Sequence, residues 1–210
     1  MKLRWLGHAA FKIDDLVIDP FIKGNPMCPV KVGDIRCKII GVTHSHHDHL
    51  GDAIEIAKNN NATIVGIHEM SVYAEQNGAK SFGMNYGAYS EVEGWKVKLV
   101  PALHTSDIGN PSGFIFEKDG VKIYHAGDTG LFLDMELIGK DEIDYALLPI
   151  GGRYVMDVDA AVEACNLIKP KNVIPMHYNT WDLIKADPED FKRKVKSNCI
   201  LMKPGEEIGI

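Results

Sequence analysis

The stretch Thr43-His44-Ser45-His46-His47-Asp48-His49 concentrates more potential chemistry than any other part of the chain. Its pattern is His-x-His-x-Asp-His. Imidazole and carboxylate groups lose solvation when buried and then require partners. A divalent cation is such a partner, because neutral imidazole nitrogen and carboxylate oxygen are both good ligands for zinc and its neighbours. Three further candidates stand where apolar runs end: His104 after Lys98–Leu103, Asp128 after Val121–Gly127, and His177 after Asn172–Met176. Taken singly, a His or Asp at a strand end is usually a turn or cap residue. Three of them behind one histidine-rich loop point jointly to a metal site.

The flanking residues indicate how the loop is held. Lys38–Thr43 is a short apolar run typical of a buried strand, and residues 50–58 have helical spacing with Ala53, Ile56 and Ala57 on one face. The cluster is therefore expected on a strand-to-helix loop, where α/β proteins commonly place their chemistry. His44 and His46, two apart in extended backbone, point to the same side. Asp48 and His49 follow the bend and reach a second point nearby. His47 projects differently and is read as a non-ligand. Elsewhere the patterns predict strands over 2–6, 10–13, 16–19, 39–43, 62–66, 95–102, 113–117, 121–125, 144–149, 172–176 and 199–202. Helices are predicted over 51–60, 69–77, 131–138, 157–168 and 188–196, the last opened by Asp187-Pro188-Glu189-Asp190. Two strand-rich halves with interspersed helices predict an α/β (α+β) protein built as a four-layer αββα sandwich, helices outside and two sheets inside. No linker interrupts residues 1–210, so a single domain is expected, and no internal repeat is visible.

Leu16-Val17-Ile18-Asp19-Pro20, the loop from His44 to His49, His104, Gly127-Asp128-Thr129 and His177 together resemble the metallo-β-lactamase superfamily. Leu6-Gly7-His8-Ala9-Ala10-Phe11 and the short chain look most like its UlaG-like branch, and within it the group called UPF0173 metal-dependent hydrolases. The resemblance implies the metallo-β-lactamase fold with two divalent ions at one edge between the sheets. It assigns His44, His46 and His104 to one ion and Asp48, His49 and His177 to the other, with Asp128 bridging. Asp19 would support the metal loop from behind, fixing the orientation of a liganding imidazole. The chemistry implied is hydrolysis by a metal-bridging hydroxide, with Asp48 as the catalytic group that orients it and shuttles a proton. Zinc is the expected metal because it is common in the superfamily; the donor set equally suits manganese, iron, nickel or cobalt. No Gly-x-Ser-x-Gly nucleophile motif is present.

The bond expected to be cleaved is a lactone, another ester, an amide or a phosphoester in a small-molecule substrate. A small phosphodiesterase or nuclease is one alternative, which a basic patch across the cleft would favour and an apolar pocket would disfavour. A non-catalytic metal-binding or sensing protein is the other. A net charge of −6 leans away from nucleic acid. The 48 residues between Asp128 and His177 leave no room for the large insertion of the nucleic-acid-processing members. No run reaches membrane-spanning length, no signal-peptide pattern opens the chain, and Cys28, Cys37, Cys165 and Cys199 form no Cys-x-x-Cys pair, so a reduced cytoplasm is the expected home. A homo-oligomer is compatible with the sequence.

Four places could tune substrate choice. His8 is either a contact near the metals or a structural histidine. Asn179 and Tyr178 adjoin His177 and could donate to a developing oxyanion. Arg153, after the paired glycines Gly151-Gly152, could bind an anionic group or lie on the surface. Residues 81–90, with Phe82, Met84, Tyr86 and Tyr89, could cover the cleft, pack as a surface loop or form a contact between copies. His68 and His125 are read as structural.

Overall fold

The computed structural model describes residues 1–210. Strands β1 (Lys2–Trp5), β2 (Phe11–Ile13) and β3 (Leu16–Ile18) run as an antiparallel meander. β4 (Ile39–Gly41) joins β3 in parallel and leads into two helices, α1 (His47–Leu50) and α2 (Ala53–Asn60). β5 (Thr63–Ile67), α3 (His68–Gln76) and β6 (Lys80–Met84) extend the parallel part. The chain then crosses to a second sheet, where β7 (Ser90–Val92), β8 (Trp95–Pro101), β9 (Ser112–Lys118) and β10 (Val121–His125) are antiparallel. After α4 (Met135–Gly139) come β11 (Tyr145–Pro149), α5 (Val158–Ile168), β12 (Asn172–Met176), α6 (Pro188–Lys194) and β13 (Asn198–Cys199), whose strands continue from β10 in parallel. β14 (Glu207–Gly209) returns to the first sheet and pairs antiparallel with β1.

The sheet orders are β14-β1-β2-β3-β4-β5-β6 and β13-β12-β11-β10-β9-β8-β7. Apart from β14, each sheet opens as an antiparallel meander and closes as parallel strands with helical crossovers, so one topological plan is used twice. That repetition is absent from the residues themselves. The result is the αββα sandwich expected. Its two sheets share one apolar core of 58 buried residues. β5 is buried along its whole length, as a strand covered on both faces must be. β8 alternates near its start, Trp95 and Val97 buried and Lys96 exposed, as a half-covered strand does. The sheets meet closely where Gly41 of β4 faces Phe116 of β9: a Cβ added at Gly41 would lie 2.9 Å from the Phe116 ring. Phe114 and Phe116 stack there, ring centres 4.9 Å apart. α5 and α6 start where the sequence predicts, with Asp157 accepting from Ala160 N and Asp187 from Glu189 N. No helix is long and apolar enough to cross a membrane.

Several expectations need correction. The helix expected over 51–60 is α2, Ala53–Asn60, but a short helix that was not expected, α1, precedes it, so Asp48 and His49 lie in a helical turn rather than on a free loop. Gly51 makes the break at φ 42°, ψ −121°, a conformation open to glycine alone. A Cβ there would sit 2.6 Å from Pro20 O and 2.8 Å from Phe21 Cα. Helix 131–138 begins only at Met135, and strand 199–202 is reduced to Asn198–Cys199. Residues 81–90 are not a cleft cover: they supply β6, then cross between sheets to β7. Tyr86 donates to Pro111 O and Tyr89 to Asp141 along this crossover.

Because the Gly51 clash is with backbone, no side chain can give way. Gly51→Ala is expected to lower stability by about 3 kcal/mol. The shift should appear in the urea midpoint at unchanged m-value.

Candidate metal centre

The centre is assembled from strand ends of both sheets. Asp19 follows β3 in the left-handed region, φ 45°, and is fully buried. It accepts from Thr43 N at 2.8 Å, from Thr43 Oγ1 at 2.7 Å and from His49 Nδ1 at 2.7 Å. With Nδ1 donating to Asp19, His49 presents Nε2 inward. Thr43 Oγ1, having given its hydrogen to Asp19, can only accept from His44 Nδ1 at 3.0 Å. His44 therefore also presents an unprotonated Nε2. The two imidazoles are aimed by one carboxylate and one hydroxyl behind them.

Three overlapping groups of donor atoms lie within 4.8 Å of one another: His44, His46 and His104; His8, Asp48, His49 and His177; and His44, His49 and Asp128. In the first, His44 Nε2 lies 3.0 Å from His46 Nδ1, and the His104 ring stands 5.1 Å from both, edge-on. Asp128 sits between the groups. Its Oδ1 is 3.1 Å from His49 Nε2, while Oδ2 is 3.1 Å from His177 Nε2 and 3.5 Å from His104 Nε2. The short contacts to His49 and His177 lack hydrogen-bond angles. His49 Nε2, Asp128 Oδ1 and both ring nitrogens of His177 are buried without a partner. Buried polar atoms left this way are rare and costly. An unpaired carboxylate oxygen converging with unpaired imidazole nitrogens is the arrangement a cation would complete, so the donor set fits divalent metal.

Electrostatics agree. Burial pushes His44 down to about 2 and His8 down to about 4, so both are neutral, the form that ligates. Burial would also raise Asp128, but His177 and His49 beside it outweigh that and hold the carboxyl well below its usual range. Burial would lower His49, yet Asp128 and Asp19 on either side hold the imidazole well above its usual range. Two buried carboxylates are demanding positive charge at His49, the charge a metal would bring.

A β-lactamase superfamily domain matches residues 2–177. A UPF0173 metal-dependent hydrolase of Thermococcus onnurineus is 49% identical, with 98% of both chains covered. One from Archaeoglobus fulgidus is 47% identical, over 98% of this chain and 97% of that one. The solved structure of Igni18, a metallo hydrolase from Ignicoccus hospitalis, superposes with a TM-score of 0.93 at 41% identity, covering 99% and 97% of the two chains. The chain belongs to the UPF0173 metal-dependent hydrolases.

In this hydrolase all seven residues expected as ligands converge: His44, His46, Asp48, His49, His104, Asp128 and His177. His47 does not join them; its side chain is 81% exposed. His8, left open between two roles, lies in the cluster with its ring 4.0 Å from that of His177. Its Nε2 is 3.1 Å from Asp48 Oδ2 and its Nδ1 is 2.8 Å from Thr180 Oγ1. His125 is buried with its ring bonded to Ala9 O and Gly127 N, a structural histidine. Asn179 does not turn to the site: its amide bonds both the N–H and the carbonyl of Ala186. Tyr178 faces the core and stacks on Trp5. Arg153 lies over the Tyr154 ring, 5.4 Å from its centroid, and does not line the cavity.

That cavity has a volume of about 940 Å³ and opens directly onto His46, Asp48, His104, Asp128 and His177. Its walls include Trp181, Leu183, Tyr154 and Asp107, and no lysine or arginine lines it. Sequence reasoning missed these wall residues. The available signal was Trp181 and Leu183, large apolar residues in the short polar connection after His177.

Asp19→Asn keeps the size of the side chain but removes the charge that orients His49. The hydrolase should then bind zinc about 10–100-fold more weakly. Competition with a chromogenic chelator measures this, and unchanged affinity would show that the Asp19 contact is dispensable.

Proposed function

We propose that the 210-residue chain works as one domain and as a two-ion hydrolase of a small-molecule substrate, cleaving an ester, lactone, amide or phosphoester bond. The observation that carries this reading is the position of Asp128, whose two oxygens face His49 on one side and His177 and His104 on the other. In this reading His44, His46 and His104 hold one ion, Asp48, His49 and His177 hold the second, and Asp128 is shared. Divalent ions in such a site, zinc being the expected one, supply Lewis acidity and lower the pKa of water from 15.7 toward about 7.

The remaining work falls to the chain. Asp48 is ionised: burial alone would raise its carboxyl, but the His8 hydrogen bond and the neighbouring imidazoles hold it below its usual range. An ionised carboxylate only accepts, so neutral His8 donates Nε2–H to Asp48 Oδ2 and receives the Thr180 hydroxyl hydrogen at Nδ1. Held in this way, Asp48 keeps Oδ1 free to orient the attacking water and relay a proton to the leaving group. A substrate seated in the cavity would have Trp181, Leu183 and Tyr154 along one side of the reacting bond. A structural zinc site would be closed by four ligands, whereas these residues border an open cavity, which favours catalysis over a purely structural or sensing role.

Metal content by mass spectrometry, alongside turnover of chromogenic esters, lactones and a phosphodiester, tests the proposal. About two ions per chain are expected in the native protein. Asp128→Ala should lose at least one of them and drop activity by about 100-fold or more. One ion or none, with no turnover after reconstitution, would move the sensing role to the front.

A further inference from the structure

We propose that the substrate is an uncharged carboxylic ester or lactone whose alkyl or aryl group rests on Trp181, Leu183 and Tyr154, in preference to any phosphoester. The inference rests on the two-ion hydrolase reading above. It begins from the walls of the cavity rather than its floor.

Trp181, Leu183 and Tyr154 are 38%, 56% and 51% exposed, and all three line the same cavity as the metal-binding candidates. Large apolar groups kept in water at one mouth gain free energy from whatever covers them. Trp181 is not a loose surface side chain. Its ring packs 4.9 Å from that of buried His8 and 6.1 Å from that of buried Phe21. It stands as a fixed aromatic wall directly beside the side chain that holds Asp48. Leu50 and Ile184 extend the apolar surface.

Charge points the same way. A phosphodiester stays anionic, and a phosphomonoester carries up to two charges, so their recognition normally recruits Arg or Lys to oxygens the metals do not reach. No such cation lines this cavity, and Asp107 adds a further negative group to its wall. A carboxylic ester presents no charge to this wall. In its hydrolysis water adds to the acyl carbon, the acyl C–O bond breaks, the alcohol leaves with a proton and the acid remains. In the addition step charge develops on the acyl oxygen, over the metal-binding residues and away from the apolar wall, and in the breakdown step the proton from Asp48 neutralises the departing oxygen.

The test uses zinc-loaded protein with p-nitrophenyl acetate, butyrate and hexanoate against bis(p-nitrophenyl) phosphate. The expected kcat/KM rises about two- to fourfold per added methylene, and the phosphodiester falls below the hexanoate. Trp181→Ala and Leu183→Ala should flatten the chain-length series. Leu183→Lys, at an exposed position, should lower the hexanoate-to-phosphodiester ratio at least tenfold. Binding gives a readout separate from turnover. Trp5 and Trp95 are buried, so Trp181 is the tryptophan whose fluorescence should shift as hexanamide is titrated, more tightly than propanamide, with the shift lost in Trp181→Phe. A flat series, or no fluorescence shift, overturns the inference. A phosphodiester turned over faster than hexanoate overturns it while leaving the hydrolase reading intact. No turnover of any substrate by protein carrying its ions overturns both.

Discussion

Much of this molecule hangs on a fully buried carboxylate. Asp19 has no exposed surface, and a buried ionised carboxylate is costly unless its oxygens are engaged. The demand is met by the backbone and hydroxyl of Thr43 and by the ring of His49. Those three bonds carry the contact between β3 and β4 past its last ladder pair, Ile18 and Gly41, and tie both strand ends to α1. The same bonds fix which nitrogen His49 turns inward, so fold and site are satisfied by one set of contacts. Gly51 permits the arrangement by letting α1 end against the Pro20–Phe21 backbone.

The second sheet answers with Asp128 and His177, presented at the ends of β10 and β12, and with His104 beyond β8. Gly127 precedes Asp128 at φ 60°, where a Cβ would meet Thr43 Cβ at 2.9 Å. The turn that carries Asp128 in one sheet is thus pressed against the turn that Asp19 holds in the other. His8, His177 and Asn179 also lie in the left-handed region, which non-glycine residues enter at a cost of about 1–3 kcal/mol each. Left-handed backbone accumulates around the centre because short turns must aim side chains into it from several directions. The apolar sandwich supplies the stability that tolerates them.

What the residues revealed in advance follows a physical divide. The convergence of the candidate ligands is legible because metal chemistry restricts residue types, and because His44, His46, Asp48 and His49 lie within six positions. The sandwich was legible because its central strands are continuous apolar runs, β5 and β12 among them. β6, β7 and β14 were not. β6 is an edge strand with Phe82 partly exposed and a glycine in it, and β14 has three residues whose partner lies some two hundred positions away. Strands of that kind exist through pairing rather than pattern. The duplicated sheet plan was invisible for a related reason, since topology survives substitutions that erase sequence similarity. Asn179 and Tyr178 were read as facing the site from adjacency to His177 alone; a left-handed turn sends one to Ala186 and the other into the core.

The pairing of β14 with β1 also bears on how the protein is made. Lys2–Arg4 find their outer partner only in Glu207–Gly209, so the first sheet keeps an open edge until those residues have been made. Nearly the whole chain must leave the ribosome before that edge is closed. The His44–His49 loop emerges long before Asp128 and His177, and during that interval it offers a partial, exposed set of imidazoles to any passing metal. An ion captured then would be held by few ligands and exchanged easily. The full set of converging imidazoles and carboxylates therefore forms only when the second sheet brings Asp128 and His177 into place.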